Sequence, residues 1–458
     1  MNRHRVVVIG SGFGGLSATK ALKNAPVDVT MIARTQHHLF QGLLYQVATG
    51  ILSEGEIAPA TRTVLRNQRN VDVVLGDVVD ANLAERYVVS ELLGKRYATG
   101  YDSLIVAAGA NQSYFGNDHF AEFAPGMKTI DDALEVRGRI IGALELAERT
   151  SDPARRAQLL TFTIVGAGPT GVELAGQVVE LATQTMKREF RHIDATEVRV
   201  ILVDAQQSVL AAMGPKLGAK AQHRLQRIGV DIQLGVTVVD VDREGLTVKD
   251  SDGATRRIES ACKVWSAGVS ASPLGKLIAE QAGAVVDRSG RVEVLPDLTV
   301  PGHPNVFVIG DMASVPGVPG MAQGAIQGAR YATTVIKHAL KGHDDPANRK
   351  PFKYLDKGSM ALISRYSAVA RVGKVEFAGF VAWLAWLLLH LYYLIGHRNR
   401  IAAMFAWGIS FLGRTRGQMA ITSQMIYARP LANWVERQAQ EGTLAAVERA
   451  EAAEREAG

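Results

Sequence analysis

The sequence of 458 residues predicts an α/β fold with two Rossmann-like units and a C-terminal helical region. Two observations indicate the paired units: residues 5–22 hold an apolar strand, a glycine-rich turn and a helix, and residues 161–181 repeat that order. A third observation indicates the helical region, because the 20 residues 377–396 contain no carboxylate, lysine or arginine. The chain is long enough for two or three domains.

The first glycine turn, in RVVVIGSGFGGL, has the spacing of a dinucleotide-binding loop. Gly10 permits the tight turn, Gly12 lets the backbone approach a pyrophosphate, and Gly15 lets the helix pack closely on the strand. Phosphates bound there face the unpaired N–H groups of the helix N-terminus. Gly14 is an additional glycine in the same turn. Strand and helix stand on the correct sides, so we predict a dinucleotide site.

Gly166, Gly168 and Gly171 repeat this pattern and predict a second dinucleotide site. The strand after the second helix, VRVILVDA, ends at Asp204. A carboxylate there accepts hydrogen bonds from both adenosine ribose hydroxyls and repels a 2′-phosphate, which favours NADH over NADPH. The alternative is a solvated aspartate at a strand end.

The equivalent strand of the first unit, VDVTMIAR, lacks this acid and ends in Ala33 and Arg34. Arg34 can stack on an adenine, reach a phosphate, or simply be a surface arginine. The sequence leaves these three alternatives open.

Two later strands indicate a flavin in the first site. YDSLIVAAGA runs into Gly109, and VFVIGDMASV runs into Gly310 and Asp311. Ligands of open α/β sheets bind at such carboxyl ends of strands. Asp311 is predicted to hydrogen-bond the ribityl chain, and the alternative is an N-cap aspartate without a ligand. The helix that begins near Gly320 would direct its positive dipole end toward a reduced flavin.

Charge and cysteine content exclude several classes of protein. The net charge is +6, and residues 352–429 carry ten basic against two acidic residues, around the apolar stretch. Such an excess suits an anionic lipid surface, at about 1 kcal/mol per Lys or Arg. No reading helix or aromatic platform supports nucleic acid. The only cysteine, Cys262, excludes a disulfide framework or CxxC centre and is predicted to be a buried strand residue. We assign no metal site.

Three interpretations of residues 377–396 are considered: a membrane span, a core helix at a dimer interface, and a helix at the membrane surface. No secretory signal fits before the first strand, which predicts a cytoplasmic enzyme. A span would put Arg398 and the later arginines on the far side, against the positive-inside bias, and residues 401–413 are too short to return. We therefore predict two helices lying at the membrane surface. Their aromatic residues are expected at the depth of the lipid head groups: Trp383, Trp386, Tyr392, Tyr393 and Trp407.

These motifs together resemble those of type II NADH dehydrogenases, single-subunit flavoenzymes that pass electrons from NADH to quinone without pumping protons. The resemblance extends to about Tyr427 and rests on the paired glycine units, HLFQGLLYQVATG (38–50), VWSAGVSASPLG (264–275) and MAQGAIQGARYA (321–332). It implies tightly but non-covalently bound FAD, NADH as the substrate, and menaquinone or ubiquinone as the acceptor. We also expect a homodimer.

The resemblance assigns dinucleotide contacts residue by residue. Flavin contacts are expected from Gly10, Gly12, Phe13, Gly14, Gly15, Arg34, Val79, Ala108, Gly109, Asp311, Ala322 and Gln323. In this set the backbone of Val79 is expected to meet the adenine. NADH contacts are expected from Gly166, Gly168, Pro169, Thr170, Gly171, Glu173, Asp204 and Gly268.

The resemblance also assigns a quinone pocket to Tyr45, Gln46, Gln323 and Gln327. The two later glutamines lie four residues apart on one helix, so both amides are expected to face that pocket. Glu173, Gln323 and Gln327 are the predicted catalytic residues. Glu173 is expected to orient groups or donate a proton near the nicotinamide and flavin rings, and stabilisation of its helix N-terminus is the alternative.

Two departures from the family pattern stand out. Ala33 replaces the usual acid, which loosens the ribose assignment. Gly42 stands where a proline is common, which changes the stiffness of the loop that carries Tyr45 and Gln46.

The sequence predicts a peripheral, monotopic flavoenzyme at the cytoplasmic face of the cell membrane. The predicted domains are an FAD-binding domain (1–112 and 296–350), an NADH-binding domain (113–295), a membrane-surface and dimerisation region (351–430), and a charged tail (431–458). Two alternatives are a soluble NADH-dependent reductase of a small electron carrier and a non-catalytic module that senses FAD and NADH while docked on membranes.

Overall fold

The computed structural model describes residues 3–413 and 415–422. The predicted charged tail (431–458) and the end of the predicted membrane region (423–430) lie outside the described residues, as do Arg414 and Arg429.

The strands of the described residues are numbered in chain order. They are β1 (His4–Ile9), β2 (Val27–Ala33), β3 (Val71–Leu75), β4 (Asp77–Asn82), β5 (Tyr87–Leu92), β6 (Lys95–Gly100), β7 (Ser103–Val106), β8 (Ala110–Gln112), β9 (Thr161–Val165), β10 (Arg199–Asp204), β11 (Val230–Leu234), β12 (Thr237–Val241), β13 (Gly245–Lys249), β14 (Thr255–Glu259), β15 (Cys262–Trp265), β16 (Val269–Ala271), β17 (Val292–Glu293), β18 (Thr299–Val300), β19 (His303–Val308), β20 (Ala313–Ser314), β21 (Ser359–Ser364), β22 (Ser367–Val372) and β23 (Val375–Gly379).

The α-helices are numbered in the same way. They are α1 (Phe13–Ala21), α2 (Leu44–Ala48), α3 (Glu54–Ile57), α4 (Thr61–Leu65), α5 (Ile130–Arg149), α6 (Pro153–Leu159), α7 (Pro169–Glu180), α8 (Lys187–Glu189), α9 (Pro215–Arg227), α10 (Leu274–Ala282), α11 (Ala322–Ala339), α12 (Phe380–Tyr393) and α13 (His397–Gly413).

A six-stranded sheet of order β18-β19-β7-β1-β2-β3 carries the first glycine turn. Its strands pair in parallel except for the antiparallel pair β18–β19. Strand β7 is buried along its whole length, as expected for a parallel strand that is covered on both faces. Helix α1 follows the turn and packs against α11. The glycine turn and the start of α11 are therefore held close together.

A four-stranded parallel sheet of order β11-β10-β9-β15 carries the second glycine turn. Cys262 begins β15 and is buried, which confirms the prediction of a buried strand residue. The antiparallel pair β8–β16 joins the two chain segments that run between the sheets. Three-stranded antiparallel sheets, β4-β5-β6 and β12-β13-β14, extend the two units.

Helix α10 and strand β17 pack with the first sheet. Leu274, Ile278 and Val292 share a hydrophobic core with Val7 of β1 and Val106 of β7. The chain therefore returns to the first unit soon after β16, earlier than the predicted boundary at residue 296, because the apolar face of α10 is buried there.

The C-terminal region consists of the antiparallel sheet β21-β22-β23 and the two helices α12 and α13. It is tied closely to the second unit, since a Cβ on Gly176 of α7 would lie 1.8 Å from the carbonyl oxygen of Ile363 in β21. Both predicted helices are present. The prediction of head-group depth is wrong for Trp383, Trp386 and Trp407, which are buried, because the side of each helix that faces the protein is also apolar.

Helix α12 has 14 residues, because the first part of the apolar stretch completes β23. At about 1.5 Å per residue it is about 21 Å long, shorter than the ~30 Å hydrocarbon core of a bilayer. Across residues 3–413 and 415–422, none of the helices combines the length and the hydropathy that a membrane crossing requires.

Candidate functional site

The first glycine turn forms one wall of a cavity of about 180 Å³, here called the Gly12 cavity. It lies where strands of the first sheet end, next to Ala33 and Thr35. Arg34 is exposed on the wall of this cavity and has no ion pair among the described residues. Its side chain is therefore free to stack on an adenine or to reach a phosphate, and the structure does not choose between these two contacts. The predicted flavin contacts that line this cavity are Gly10, Gly12, Arg34, Ala108 and Gly109.

The glycines of the first turn have two different roles. Some allow close packing of α1, and one leaves open space beside its backbone. Gly10 has a φ of 102°, in the left-handed region. A Cβ on Gly15 would lie 1.8 Å from the Gly10 carbonyl oxygen, and a Cβ on Gly14 would lie 3.5 Å from the Ala325 Cβ of α11. Gly14 and Gly15 therefore serve helix packing. A Cβ on Gly12 would meet no atom within 4 Å, so this backbone is the part that a phosphate can approach.

The second turn repeats this geometry beside a cavity of about 400 Å³, the Gly168 cavity. Gly166 has a φ of 108°, and a Cβ on Gly171 would lie 1.8 Å from its carbonyl oxygen. A Cβ on Gly168 would meet no atom within 4 Å. Thr170 and Gly171 do not line the cavity. The predicted NADH contacts that do are Gly166, Gly168, Pro169, Asp204 and Gly268.

Asp204 stands at the end of β10 on the wall of the Gly168 cavity. Its carboxylate accepts hydrogen bonds from the backbone N–H groups of Ala167 and Gln206, the latter at 2.7 Å. These bonds fix the carboxylate against the glycine turn. A carboxylate has about four lone-pair sites, so acceptor capacity remains for the hydroxyls of a ribose. The preference for NADH over NADPH stays a prediction.

A third cavity, of about 240 Å³, lies between the start of α11, the loop before α2, the start of β21 and helix α12. We call it the Gln323 cavity. Three predicted residues line it: Phe13, Ala322 and Gln323. The sequence did not predict that most of the other residues on its wall would line a ligand site. These include Phe40, Met360, Leu389, His390 and Tyr393.

A hydrogen bond across the Gln323 cavity joins α11 to α12. Gln323 Nε2 donates to the hydroxyl oxygen of Tyr393 at 2.9 Å. Because that oxygen accepts from the glutamine, the hydroxyl hydrogen of Tyr393 remains available to a ligand.

His390 presents its second ring nitrogen to the same cavity. Its Nδ1 lies 2.8 Å from the carbonyl oxygen of Trp386, so Nδ1 carries the hydrogen and Nε2 carries an acceptor lone pair. Burial lowers the pKa of His390 to about 4, so the ring is neutral at pH 7. The lack of a side chain at Gly42 leaves space beside it, since a Cβ there would lie 3.8 Å from Nε2. The sequence signal was that His390 is the polar interruption of an apolar run.

Glu173 is buried below α12 and lines neither the Gly168 cavity nor the Gln323 cavity. Its Oε1 accepts a hydrogen bond from the backbone N–H of Leu362 at 3.1 Å. The pKa of Glu173 is raised to about 8, and burial is the main cause. The Leu362 N–H and the nearby Trp386 indole oppose this shift, although the indole nitrogen makes no regular hydrogen bond. The carboxyl group is therefore largely protonated at pH 7. Its predicted contact with the nicotinamide stays a prediction.

Tyr45 and Gln46 do not line the Gln323 cavity, so their contact with a quinone stays a prediction that this cavity does not support. They are buried in α2, where Gln46 Nε2 donates to the Tyr45 hydroxyl at 3.1 Å. Trp407 Nε1 of α13 donates to Gln46 Oε1 at 2.6 Å. Their polar atoms therefore help to hold α13 on the protein, and Phe40 and Gly42 of the preceding loop line the cavity.

Gln327 and Val79 also lie outside the cavities where they were expected. The Gln327 side chain pairs with the backbone of Leu355: its Nε2 donates to the carbonyl oxygen and its Oε1 accepts from the N–H, each at 3.0 Å. The amide is thus used to hold a loop. In β4, Val78 and Asp77 line the Gly12 cavity and Val79 is exposed, because a β-bulge follows Val78.

Asp311 lies in a short 3-10 turn, Gly310–Met312, which packs against α11, and it does not line the Gly12 cavity. Its Oδ1 is 3.6 Å from the position of a Cβ on Gly320. Burial raises the pKa of Asp311, and the charge of Lys128 lowers it. Its predicted contact with a ribityl chain stays a prediction.

Comparison with known proteins identifies the family of this chain. The family described as pyridine nucleotide-disulphide oxidoreductase matches residues 4–329. A Mycobacterium tuberculosis protein named type II NADH:quinone oxidoreductase NdhA is 68% identical over 456 residues, which cover 99% of this chain and 97% of the relative. The chain belongs to the type II NADH:quinone oxidoreductases. The family resemblance drawn from the motifs is therefore confirmed.

Two further proteins are similar to this chain. The M. tuberculosis protein named type II NADH:quinone oxidoreductase Ndh is 66% identical over 427 residues, with 93% of this chain and 92% of that one covered. The structure of NDH2 from Plasmodium falciparum in complex with NADH has a TM-score of 0.82 at 18% identity, and covers 91% of this chain and 99% of its own. At that identity the second comparison supports the fold alone.

The two open glycines predict separable losses of ligand binding. Gly12→Ala adds a Cβ to the open face of the first turn, so we expect purified protein with little or no bound flavin. Gly168→Ala adds the same atom to the second turn, so we expect flavin to be retained and KM for NADH to rise by about tenfold, or about 1.4 kcal/mol. Both residues have an extended backbone with φ near −70°, which alanine tolerates. Flavin absorbance and NADH kinetics measure the two effects, and the same phenotype for both variants would contradict the assignment.

Glu173→Gln should change how stability depends on pH. The folded pKa of about 8 is above the ordinary value of 4.5, so the stabilisation is present below pH 4.5 and is lost as the pH rises through about 8. We expect Tm of the wild type to fall relative to the glutamine variant over this range. The exposed Glu145→Gln is the control. A Tm difference that stays constant from pH 5 to about 9 would show that the pKa of Glu173 is not raised in the folded protein.

Proposed function

We propose that this chain transfers two electrons from NADH, through FAD, to a membrane quinone without pumping protons. The observation that carries the proposal is the arrangement of two open glycine turns and a third, largely apolar cavity whose far wall is α12. The two M. tuberculosis relatives carry the name of the same reaction. The soluble carrier reductase and the non-catalytic sensor are not favoured, since neither explains that cavity together with those relatives.

The residues around the Gly12 cavity fit a flavin dinucleotide. Positions 12 and 109 both have open space where a Cβ would stand, which suits close approach of a backbone to a phosphate or a ring. Gly10, Gly12, Arg34, Ala108 and Gly109 would hold the dinucleotide end, and Asp311 would hold the ribityl chain. When bound, FAD supplies the chemistry that accepts a hydride and then releases two electrons.

NADH would bind in the Gly168 cavity. The backbone of Gly168 lies at the N-terminus of α7, where unpaired N–H groups favour a pyrophosphate. The fixed carboxylate of Asp204 would accept the ribose hydroxyls and repel a 2′-phosphate. This arrangement favours NADH as the reductant.

The quinone head group would enter the Gln323 cavity. Phe40, Met360 and Leu389 give the cavity apolar walls, and a few polar atoms fix the ligand, as in most small-molecule sites. The Tyr393 hydroxyl would donate to one quinone carbonyl, and the Gln323 amide orients that hydroxyl. His390 Nε2 is an acceptor, so it would receive a hydrogen bond from a hydroxyl of the reduced product.

The enzyme would dock on the cytoplasmic face of the membrane through the outer sides of α12 and α13, as a peripheral protein. Arg400 lies where the two helices meet, and its guanidinium donates to the carbonyl oxygens of Leu394 and Tyr392. Basic residues there would contribute about 1 kcal/mol each at an anionic surface. The homodimer stays a prediction. Exposed apolar residues form this surface: Phe380, Val381, Leu384, Leu388, Tyr392, Ile401, Met404, Phe405, Ile409 and Leu412.

Leu389→Trp should obstruct the quinone and spare NADH. Leu389 lines the Gln323 cavity and is partly exposed at its edge, so an indole there would fill the space that a head group needs. We expect KM for quinone to rise by about tenfold or more, while NADH oxidation with a water-soluble acceptor is unchanged. Steady-state kinetics with both acceptors measure the difference.

Leu388→Trp is the matched control, because Leu388 precedes it on the same helix, is exposed, and does not line the cavity. Equal effects of the two substitutions on the quinone reaction would contradict the placement of the quinone in this cavity.

A further inference from the structure

A fourth cavity lies where α7, α9, the turn between β21 and β22, and the end of α13 meet. Its volume is about 630 Å³, and it is separate from the three cavities described above. We call it the Arg365 cavity. Its lining is mostly polar, with two guanidinium groups: Glu180, Thr183, Gln184, Arg224, Ser364, Arg365 and Tyr366.

The negative charge of Glu180 is already offset within the protein. Its carboxylate lies 3.9 Å from the guanidinium of Arg416, and both side chains are almost fully buried. The same carboxylate accepts hydrogen bonds from Gln177 Nε2 at 3.1 Å and from the backbone N–H of Arg365. Arg416 is therefore the main charge partner of Glu180, and the charge of Arg365 on the cavity wall acts on this carboxylate more weakly.

The guanidinium groups of Arg224 and Arg365 have unused donors. Within the described part of the chain neither has an ion pair. Arg224 Nε donates to the Ser364 hydroxyl at 2.9 Å. Arg365 Nε is buried with no acceptor, and its other nitrogens make only long contacts, 3.5 Å to Gln184 and 3.3 Å to Tyr366. Both guanidinium groups line the same cavity, and the planar donor fork of a guanidinium matches a phosphate oxyanion.

The cavity opens at the edge of the apolar surface of α12 and α13. Leu412 lines the cavity and is 82% exposed. Tyr366 donates to the carbonyl oxygen of Phe411 at 3.0 Å and packs against Trp383, with ring centroids 4.9 Å apart. Phe380 beside them is also exposed. If this surface contacts acyl chains, the guanidinium groups stand at the depth of lipid phosphates.

We propose that the Arg365 cavity binds the phosphate group of an anionic phospholipid, with the acyl chains lying along Leu412 and Phe380. The proposal rests on the proposed docking of α12 and α13 on the membrane. A free phosphate offers the same oxyanion, but it would gain nothing from the exposed apolar rim. The bound lipid would hold the end of α13 against the second unit and fix how the enzyme sits on the bilayer.

The test is a titration of the full-length, FAD-loaded enzyme in detergent with short-chain phosphatidylglycerol. The wild type should bind one lipid per chain in a saturable way. Arg224→Gln with Arg365→Gln should weaken this binding by about tenfold or more. Short-chain phosphatidylcholine and inorganic phosphate are the other two ligands, and both should bind the wild type more weakly than phosphatidylglycerol does.

Lys216→Gln with Arg227→Gln is the matched control, because it removes two positive charges from exposed positions of α9 outside the cavity. The control should bind phosphatidylglycerol like the wild type. All variants should oxidise NADH with a water-soluble acceptor at the wild-type rate, which shows that they are folded.

Unchanged phosphatidylglycerol affinity in the double arginine variant would overturn the proposal. Equal affinity of the wild type for inorganic phosphate and the lipid would overturn the assignment to a lipid. Neither measurement uses quinone turnover, so failure here is distinguishable from failure of the proposed reaction.

Discussion

Helix α12 has a buried side that packs on the protein and an outer side that is exposed. Its inner side carries Trp386, which is fully buried, and Tyr393, which accepts the 2.9 Å hydrogen bond from Gln323 of α11. Its outer side is exposed and apolar, as at Leu388. One helix therefore forms the wall of the Gln323 cavity and the surface proposed for the membrane.

The two Rossmann-like units form part of the surface on which α12 packs. Buried parallel strands fix both glycine turns, and close backbone approaches leave no room for larger residues, as at Gly15 and Gly176. Glu173 links the second unit to α12, because it lies on α7, accepts from Leu362 of β21 and sits below Trp386. Its largely protonated carboxyl group avoids most of the cost of burying a charge at that junction.

The features that could be predicted from the sequence are those that depend on short-range patterns along the chain. Spacing alone located both glycine turns, and the end of an apolar strand located Asp204. Helical spacing predicted that Gln323 and Gln327 lie on one face of α11. It did not predict that the Gln327 amide would form hydrogen bonds with the backbone of Leu355. It also did not show that the polar atoms of α2 would bond to Trp407, some 360 residues later along the chain, or that a bulge would turn Val79 outward. Such contacts depend on long-range packing, which periodicity does not encode.

We propose that the outer sides of α12 and α13 deliver a lipid-dissolved quinone to the Gln323 cavity. The most direct measurement compares NADH oxidation by the Leu388→Glu, Phe405→Glu variant with a long-tailed quinone in vesicles and with a short-chain soluble quinone. Both residues are more than half exposed, and Leu93→Glu, at an exposed turn of the first unit, is the control. We expect the variant to lose activity with the long-tailed quinone alone. Equal activity of variant and wild type with both quinones would contradict it.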